Sequence, residues 1–391
     1  MASFRVVEHV LPGQHIREYH HSIKGRQEAK LQLAIKQYIP LDQPHPIPDN
    51  AVTIIGMHGN GSVKEMLEPL WDDLYAHLKE QSVPLRGIWI ADVSNQGASG
   101  VLNEDVQGDT TSWYDHSRDV LHMVNHFRDE MPRPLIGVAH SIGCAVMGPN
   151  PAKYPALRKD LWDSREKAES ALRRGLSKWD TRVSERFLRH GLRAVPTPLY
   201  NKQTHPDLSE NAVTLTTSKH HESWGYTTPS TEPESAGLDR FLLPDWDVEE
   251  ERPYAFSRPE CFSSMRNLPF VRPSVFWVFG EDSYVTSRKA EDAKMRVTGT
   301  GPGGSGGAAK GMVEKALLEK GGHNLVFEQV DWSARVGADW IGRWFRGWVA
   351  DEEFWGTYQS KRSDAEMLRM SDAAFKVSKM LGGTGRIKGK L

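Results

Sequence analysis

The sequence has few cysteines, no long apolar run and almost no net charge. Two cysteines, Cys144 and Cys261, occur in 391 residues. They are too few for a disulfide framework or a cysteine-based zinc site, and they indicate a reducing compartment. No stretch approaches the roughly 20 apolar residues that a membrane span needs. The first residues also lack the basic region and long apolar segment of a secretory signal. We therefore expect an intracellular protein without a membrane span.

The charge balance argues against partners that carry many negative charges. Lys plus Arg number 49 and Asp plus Glu number 51, for a formal net charge of −2. Such a balance does not support binding to nucleic acid or to an anionic membrane. No motif in the chain calls for a metal ion or a cofactor, so we expect neither.

Strand and helix patterns alternate in the first 150 residues. Short apolar runs at 51–57, 85–93 and 133–140 have the composition of buried strands. Segments with helical spacing of apolar residues lie between them, the second at 112–131. Strand, helix, strand, helix, strand is the pattern of a mostly parallel sheet with crossover helices, and it predicts an α/β fold.

The patterns also predict how the chain is divided. We expect an N-terminal core part at 1–148, a helical cap at 149–270, a C-terminal core part at 271–360 and a tail at 361–391. Within the cap, 157–179 is the clearest predicted helix and 212–218 the one predicted strand. In the second core part, we predict a strand at 274–280, a helix at 308–320 and a helix from 331 to 355.

One pentapeptide carries the strongest functional signal. Ala139-His140-Ser141-Ile142-Gly143 follows the predicted strand 133–140 directly. It matches the nucleophile elbow of α/β-hydrolases, G-x-S-x-G, with Ala in place of the first Gly. Small residues on either side allow the sharp strand-to-helix turn that lifts the serine hydroxyl above the sheet. We predict Ser141 as the nucleophile; the alternative is an ordinary surface serine in a βα turn.

A second turn predicts the oxyanion hole. His58-Gly59-Asn60-Gly61 follows the predicted strand 51–57. In α/β-hydrolases this loop supplies one amide donor and the residue after the nucleophile supplies the other. We therefore expect the amides of Asn60 and Ile142 to hold the oxyanion, with Gly59 allowing the loop to turn. A tight turn that needs Gly and Asn for its backbone angles is compatible with this reading.

The base and the acid are predicted from chain order. His323 lies in a Gly-Gly-His turn after the nucleophile, which is the α/β-hydrolase order. The acid usually lies in the loop after the strand at 274–280, and Gly-x-x-Asp there would place it at position 283, where this chain has Ser. Asp282 is one residue early, so it is either the acid or a turn residue.

Long strings of the chain resemble a known family. IWIADVSNQGASGVLNED, SWYDHSRDVLHMVNHFRDEMPRPLIGVAHSIG, KDLWDSREKAE, VTLTTSKHHE and GGSGG are similar to the fungal peroxisomal α/β-hydrolases. That family includes acyl-CoA hydrolases of the mycophenolic acid pathway, hydrolases of toxin biosynthesis and a yeast peroxisomal lipase. The resemblance runs from about residue 4 to about residue 350. It implies the α/β-hydrolase fold, Ser141 and His323 as the catalytic pair, and residues 58–61 as the oxyanion loop.

The same resemblance bears on localisation. The chain ends in Gly389-Lys390-Leu391, which shares Lys-Leu with the peroxisomal Ser-Lys-Leu address but has Gly in place of Ser. The resemblance implies that these residues bind a peroxisomal import receptor. The alternatives are a basic tail that ends in Leu by chance, and a cytoplasmic protein.

The sequence departs from the family after the elbow. In the family that the chain resembles, a helix and an apolar strand follow, and the Asp at the end of that strand is the triad acid. Here Gly148 is followed by prolines 149, 151 and 155, which cannot continue a helix, and no β-rich run appears between 148 and 211. One strand after the elbow, and the family's acid with it, is therefore missing. We hypothesise a deletion or a mis-spliced transcript.

These observations predict a serine hydrolase. Its substrate would be a small-molecule ester or thioester, and the family implies an acyl-CoA thioester in fungal secondary-metabolite or toxin biosynthesis. The alternative within the class is a lipase or carboxylesterase. The alternative outside it is a catalytically impaired hydrolase-like protein, since the acid segment is absent.

Overall fold

The computed structural model describes residues 2–144, 157–226 and 258–382. A five-stranded mixed sheet forms its centre, in the order β1-β2-β4-β3-β5. The strands are β1 (Phe4–Pro12), β2 (Gln32–Pro40), β3 (Val52–Met57), β4 (Leu85–Ala91) and β5 (Leu135–Ala139). β1 and β2 are antiparallel to their neighbours, whereas β3 is parallel to both β4 and β5. The predicted strands at 51–57, 85–93 and 133–140 are confirmed.

Helices connect the parallel strands. α1 (Glu68–Glu80) follows a short 3-10 turn after β3, and α2 (Gly97–Leu102) and α3 (Trp113–His126) lie between β4 and β5. α3 begins at the Ser112 cap, whose side chain accepts a hydrogen bond from the backbone N–H of Tyr114. One apolar cluster of the core lies between α3 and the sheet and comprises Leu11, Leu33, Ile35, Ile55, Trp89, Ala91, Met123 and Met131.

The insert after the elbow is more mixed than predicted. Its described part has a three-stranded antiparallel sheet in the order β6-β8-β7, from β6 (Leu161–Trp162), β7 (Leu192–Ala194) and β8 (Val213–Leu215). Three helices accompany it: α4 (Arg165–Arg173), α5 (Thr181–His190) and α6 (Lys219–Trp224). The strand predicted at 212–218 is present, but the helix predicted over 157–179 is limited to α4. β6 replaces its start, because pairing with β8 outweighs the local helical spacing.

The last part of the fold contains a second parallel pair. α7 (Pro259–Asn267) precedes β9 (Val275–Gly280), α8 (Arg288–Val297) follows it, and β10 (Val313–Leu318) pairs with β9 in parallel. The helix predicted over 308–320 is wrong. A 3-10 turn at Ala308–Lys310 ends at Gly311, which has a φ of 69°, and the following residues join β9 as a strand.

The end of the described chain is helical. α9 (Leu325–Glu328) and α10 (Val330–Ser360) follow the His323 turn, and α11 (Asp364–Met367) and α12 (Asp372–Gly382) complete the described residues. The chain divides into compact units at 1–340 and 341–391. The predicted domain boundaries therefore remain predictions. No helix within the described ranges is long and apolar enough to cross a membrane.

The sheet ends where the sequence predicts a missing strand. β5 has one strand partner in the described structure, β3, and its Leu135 and Gly137 are exposed. β9 and β10 pair with each other and not with β5. The break is predicted between 148 and 211. Of this range, 148–156 lies outside the described residues, and 157–211 contributes β6 and β7, which belong to the separate three-stranded sheet.

A buried charged cluster holds the carboxyl end of β4. The carboxylate of Asp92, fully buried, lies 2.6 Å from Nζ of Lys64 and accepts hydrogen bonds from the backbone N–H groups of Lys64 and Ala98 at 2.9 Å. Burial opposes the charge of Lys64, but Asp92 and Glu65 outweigh it and raise the pKa of Lys64 to about 12. The cluster thereby ties the loop after β3 to the loop after β4.

Asp92→Ala should destabilise the fold strongly. It leaves Lys64 buried without its nearest counter-ion, and breaking a buried pair in this way costs about 3–5 kcal/mol. Urea denaturation followed by tryptophan fluorescence measures the change. Asp163→Ala removes the exposed partner of Lys167 and should leave the midpoint in place. Equal midpoints for the two variants would contradict the role given to Asp92.

Candidate active site

Ser141 lies at a sharp, strained turn directly after β5. Its φ is 55°, a left-handed value that costs a non-glycine residue about 1–3 kcal/mol. The backbone N–H of His140 donates to the carbonyl of Met57 at 3.0 Å and the N–H of Gly143 to the carbonyl of His140 at 3.0 Å, which fixes the turn on both sides. A 3-10 turn at Ser141–Cys144 follows. The strand and turn predicted for a nucleophile elbow are present here.

The oxyanion-loop residues lie beside this turn. A Cβ atom on Gly59 would be 3.4 Å from Cβ of Ser141 and 2.7 Å from Nδ1 of His140, so the backbone approach requires glycine. Ile142 is the second residue of the 3-10 turn, where a backbone N–H has no acceptor within the helix. The structure places Gly59 beside Ser141, and the assignment of the amides of Asn60 and Ile142 as oxyanion donors stays a prediction.

Asn60 is anchored through its side chain. Its Nδ2 donates to the carbonyl of Glu222 in α6 at 2.7 Å, and its Oδ1 accepts from Nε2 of Gln96 at 2.5 Å. The backbone N–H of Gly61 donates to Oε1 of the same glutamine at 2.9 Å. The loop conformation therefore depends on a polar network that reaches the insert.

His323 meets the elbow from the carboxyl end of β10. Its Nε2 lies 2.8 Å from Oγ of Ser141, within hydrogen-bond distance. The turn is held by Nε2 of His140, which donates to the carbonyl of His323 at 3.2 Å, and by Tyr284, whose ring centroid is 5.2 Å from the imidazole. The structure thus brings together the predicted nucleophile and the predicted base, which are 182 residues apart.

Asp282 is not the neighbour of His323. Its side chain is exposed, and its backbone N–H donates to the carbonyl of Gly321 at 2.9 Å. Ser283, one residue later, has its Oγ 3.3 Å from Nδ1 of His323. Successive residues of an extended segment point in different directions, so position 283 faces the imidazole and position 282 faces solvent.

The imidazole of His323 is kept uncharged. Burial, and then the positive charges of His140 and Lys294, lower its pKa to about 3. His323 therefore accepts a proton reluctantly. In the described structure, no carboxylate lies within hydrogen-bond distance of its ring.

Sequence reasoning missed two of the residues that shape this site. His140 lies in the elbow pentapeptide itself, yet its contact with the His323 carbonyl depends on how the two loops meet. The Gly-x-x-Asp spacing indicates position 283 as the usual place of the acid, but it does not predict that Ser283 itself lies at the imidazole.

A cleft adjoins the residues after Ser141. It has about 540 Å³ of empty space, part of it open to solvent. Ile142 and Gly143 form one side, the loop 93–96 and Trp113 another, and buried polar groups of Arg17 and His116 lie along it. The described residues contain no cluster of three His, Cys, Asp or Glu side chains that could hold a metal ion.

His116 is buried in the wall of this cleft, at 8% exposure, and neither ring nitrogen has a hydrogen-bond partner. Burial, and then the charges of His58 and Arg17, lower the pKa of His116 to about 3. Below the ordinary histidine pKa of about 6.5 the unfolded chain binds a proton that the folded chain does not. Stability therefore falls as the pH decreases from about 6.5 toward about 3.

His116→Gln should weaken this pH dependence. One such histidine contributes a slope of at most about 1.4 kcal/mol per pH unit. Urea titrations at several pH values between about pH 4.5 and about pH 7 give the free energy of unfolding at each pH. The slope of that free energy against pH is then compared between the variants. His126→Gln, on the exposed side of α3, should keep the wild-type slope. An unchanged slope in His116→Gln would show that this ring is protonated in the folded protein.

The chain is similar in sequence to several known fungal proteins. No family model matches it. It is 34% identical over 383 positions to a type I acyl-CoA thioesterase, mpaH', of Penicillium brevicompactum, with 86% of this chain and 87% of the relative covered. It is 32% identical to the mpaH thioesterase of Penicillium roqueforti, covering 92% of each chain. An abhydrolase domain-containing protein of Alternaria alternata, ACTT2-1, is 22% identical, covering 54% of this chain and 85% of that protein.

The alignment with the Penicillium roqueforti protein runs over 405 positions, more than the 391 residues of this chain. It therefore includes positions that only the relative fills.

A solved structure has the same fold. The peroxisomal α/β-hydrolase Lpx1 of Saccharomyces cerevisiae superimposes with a TM-score of 0.67 at 12% identity, covering 98% of this chain and 97% of its own. Elbow, oxyanion loop and histidine turn are arranged here on an α/β-hydrolase sheet, and two thioesterases match most of the chain at more than 30% identity. The chain belongs to the fungal α/β-hydrolase family that contains the type I acyl-CoA thioesterases.

Proposed function

We propose that this protein is a serine hydrolase that cleaves a small-molecule acyl thioester, with acyl-CoA as the substrate class. The observation that carries the proposal is the 2.8 Å distance between Oγ of Ser141 and Nε2 of His323. The Penicillium relatives are acyl-CoA thioesterases, and this supports the thioester class. Fungal secondary-metabolite or toxin biosynthesis is the proposed setting.

Acyl transfer would proceed in two halves. Nε2 of His323 takes the proton of Ser141 while Oγ bonds to the thioester carbonyl carbon, and the amides of Asn60 and Ile142 hold the oxyanion. The tetrahedral intermediate collapses, the C–S bond breaks, and the thiolate leaves with the proton from His323. Water then attacks the acyl-enzyme with His323 as base. The carboxylic acid is released, and the free hydroxyl of Ser141 is regenerated.

The cleft beside Ile142 supports an acyl-binding role. Ile142, one of the predicted oxyanion donors, lies in its wall, so an acyl chain in the cleft would lie close to the elbow. Trp113 supplies an aromatic wall and Arg17 and His116 supply polar groups, which suits an acyl group with both apolar and polar parts.

A second function is favoured by one observation. His323 faces Ser283 and not a carboxylate, so a catalytically impaired hydrolase-like protein that binds an acyl ligand is the alternative. A lipase or carboxylesterase would use the same residues, and it differs only in the leaving group.

Purified protein should label measurably at Ser141 with a fluorophosphonate probe, because the nearby histidine nitrogen can activate this serine. Ser141→Ala should abolish the labelling, and Ser117→Ala, an exposed serine on α3, should leave it unchanged. Thiol release from a series of acyl-CoA esters, beside alcohol release from the matching oxygen esters, separates a thioesterase from a lipase. A folded protein that neither labels nor releases thiol would overturn the proposal in favour of the impaired alternative.

We also propose that the chain is imported into peroxisomes through its C-terminus, with a cytoplasmic protein as the alternative. Gly389, Lys390 and Leu391 lie outside the described residues, and the terminal Lys-Leu pair supports the proposal. A fluorescent protein fused to the N-terminus and expressed in a fungal cell should be punctate. Removal of Leu391 should make it diffuse, whereas Lys388→Ala should not. Diffuse fluorescence of the intact fusion would contradict import.

A further inference from the structure

Ser283 occupies the place at which a third group would orient the catalytic histidine. β9 and β10 are parallel, with Gly280 opposite Leu318, so the loops after both strands emerge side by side. A Cβ atom on Gly280 would lie 2.3 Å from the carbonyl oxygen of Gly322, which shows how closely these loops approach. This approach places Oγ of Ser283 at Nδ1 of His323.

The hydrogen bonds of Ser283 determine which way its hydroxyl proton points. Its Oγ accepts from the backbone N–H of Val285 and from that of Thr286, each at 3.3 Å. A hydroxyl has two acceptor lone pairs and one proton. With both lone pairs facing backbone donors, the proton remains for the third neighbour, Nδ1 of His323.

We propose that Ser283 is a positioning residue that donates its hydroxyl proton to Nδ1 of His323 and so favours the tautomer with the ring proton on Nε2. That tautomer presents N–H, and not a lone pair, to Ser141, so the ring must change to the other tautomer before Nε2 can act as the base of the proposed mechanism, and this requirement slows the wild-type protein. A carboxylate at the same place would accept from Nδ1–H and leave Nε2 free as the base. The inference rests on the proposed function for its catalytic consequence, but the tautomer itself does not.

No carboxylate competes with Ser283 for the imidazole in the described structure. The titratable groups that contact the imidazole or act on its charge are His140, Tyr284 and Lys294, and none of them is a carboxylic acid. The carboxylate of Glu328 lies against Gly322, where a Cβ atom would be 2.9 Å from its Oε2. Glu328 is therefore a rival for the role of acid in this turn, although it makes no hydrogen bond with the ring.

The decisive variant is Ser283→Asp. An aspartate at this position can accept the N–H groups of Val285 and Thr286 as the serine does, so the turn is retained. The fluorophosphonate labelling rate of Ser141 should rise by on the order of 100-fold or more, since loss of a triad acid costs about 10⁴ in a serine protease. The acid limb of its pH profile should move to higher pH, because a carboxylate stabilises the imidazolium. Ser287→Asp, the same change at the exposed cap of α8, should alter neither the rate nor the pH profile.

Two further variants separate donor from acceptor. If Ser283 donates to Nδ1, Ser283→Ala should leave the labelling rate within about 10-fold of wild type or raise it, because the wrong tautomer loses its support. Glu328→Gln should have no larger effect. A fall of about 100-fold or more in Ser283→Ala would show that the serine accepts from Nδ1–H, and such a fall in Glu328→Gln would assign the acid to Glu328. Either result overturns the proposal.

Nitrogen-15 NMR of the His323 ring reads the tautomer without any turnover. Wild-type protein should have a pyridine-like Nδ1 and a pyrrole-like Nε2, and Ser283→Asp should reverse the two. A pyrrole-like Nδ1 in the wild type overturns the proposal. Should Ser141 fail to label in every folded variant, the proposed hydrolase activity fails, and the ring signals still decide the role of Ser283.

Discussion

The parallel pairing of β3 with β5 is the constraint on which the site depends. Their register ends with Met57 opposite Ala139, so the chain leaves both strands at the same edge of the sheet. Gly59 and Ser141 therefore emerge side by side, and the absence of a side chain at Gly59 lets the two backbones approach. A slip in the pairing of these strands would separate the oxyanion loop from the nucleophile. Because both strands are buried on the core side by apolar residues, the register is strongly specified.

The second parallel pair meets this edge from a separate sheet. β9 and β10 share no described pairing with β5, yet the turn after β10 brings His323 to Ser141. The contacts that hold it there are local: the imidazole of His140 donates to the His323 carbonyl, and the same ring packs against the His323 ring and against Phe327. In the described residues, placement of the base therefore needs no strand pairing between β5 and β9. The group that faces Nδ1 of the ring is the hydroxyl of Ser283, which is not the chemical equivalent of a carboxylate.

The sequence predicted the parts that local chemistry determines and missed those that depend on long-range pairing. Apolar β-branched runs and the small residues around Ser141 were enough for β3, β4, β5 and the elbow. β10 was assigned to a helix, because Val-Glu-Lys-Ala-Leu-Leu has helix-forming composition and becomes a strand only through its partner β9. The neighbour of His323 was placed one residue early for a related reason. Which of Asp282 and Ser283 faces the imidazole is decided by the loop geometry after β9 and by no signal in the loop itself.

The side chain of Asn60 connects the loop after β3 to the insert. Its amide joins the oxyanion loop to Glu222 in the helix α6, and Glu222 is paired with Arg158 at the start of the insert. The conformation of the loop that contains Asn60 and the position of α6 are therefore linked by this hydrogen bond. If a ligand bound to the insert and shifted α6, its binding free energy would be coupled to the conformation of this loop.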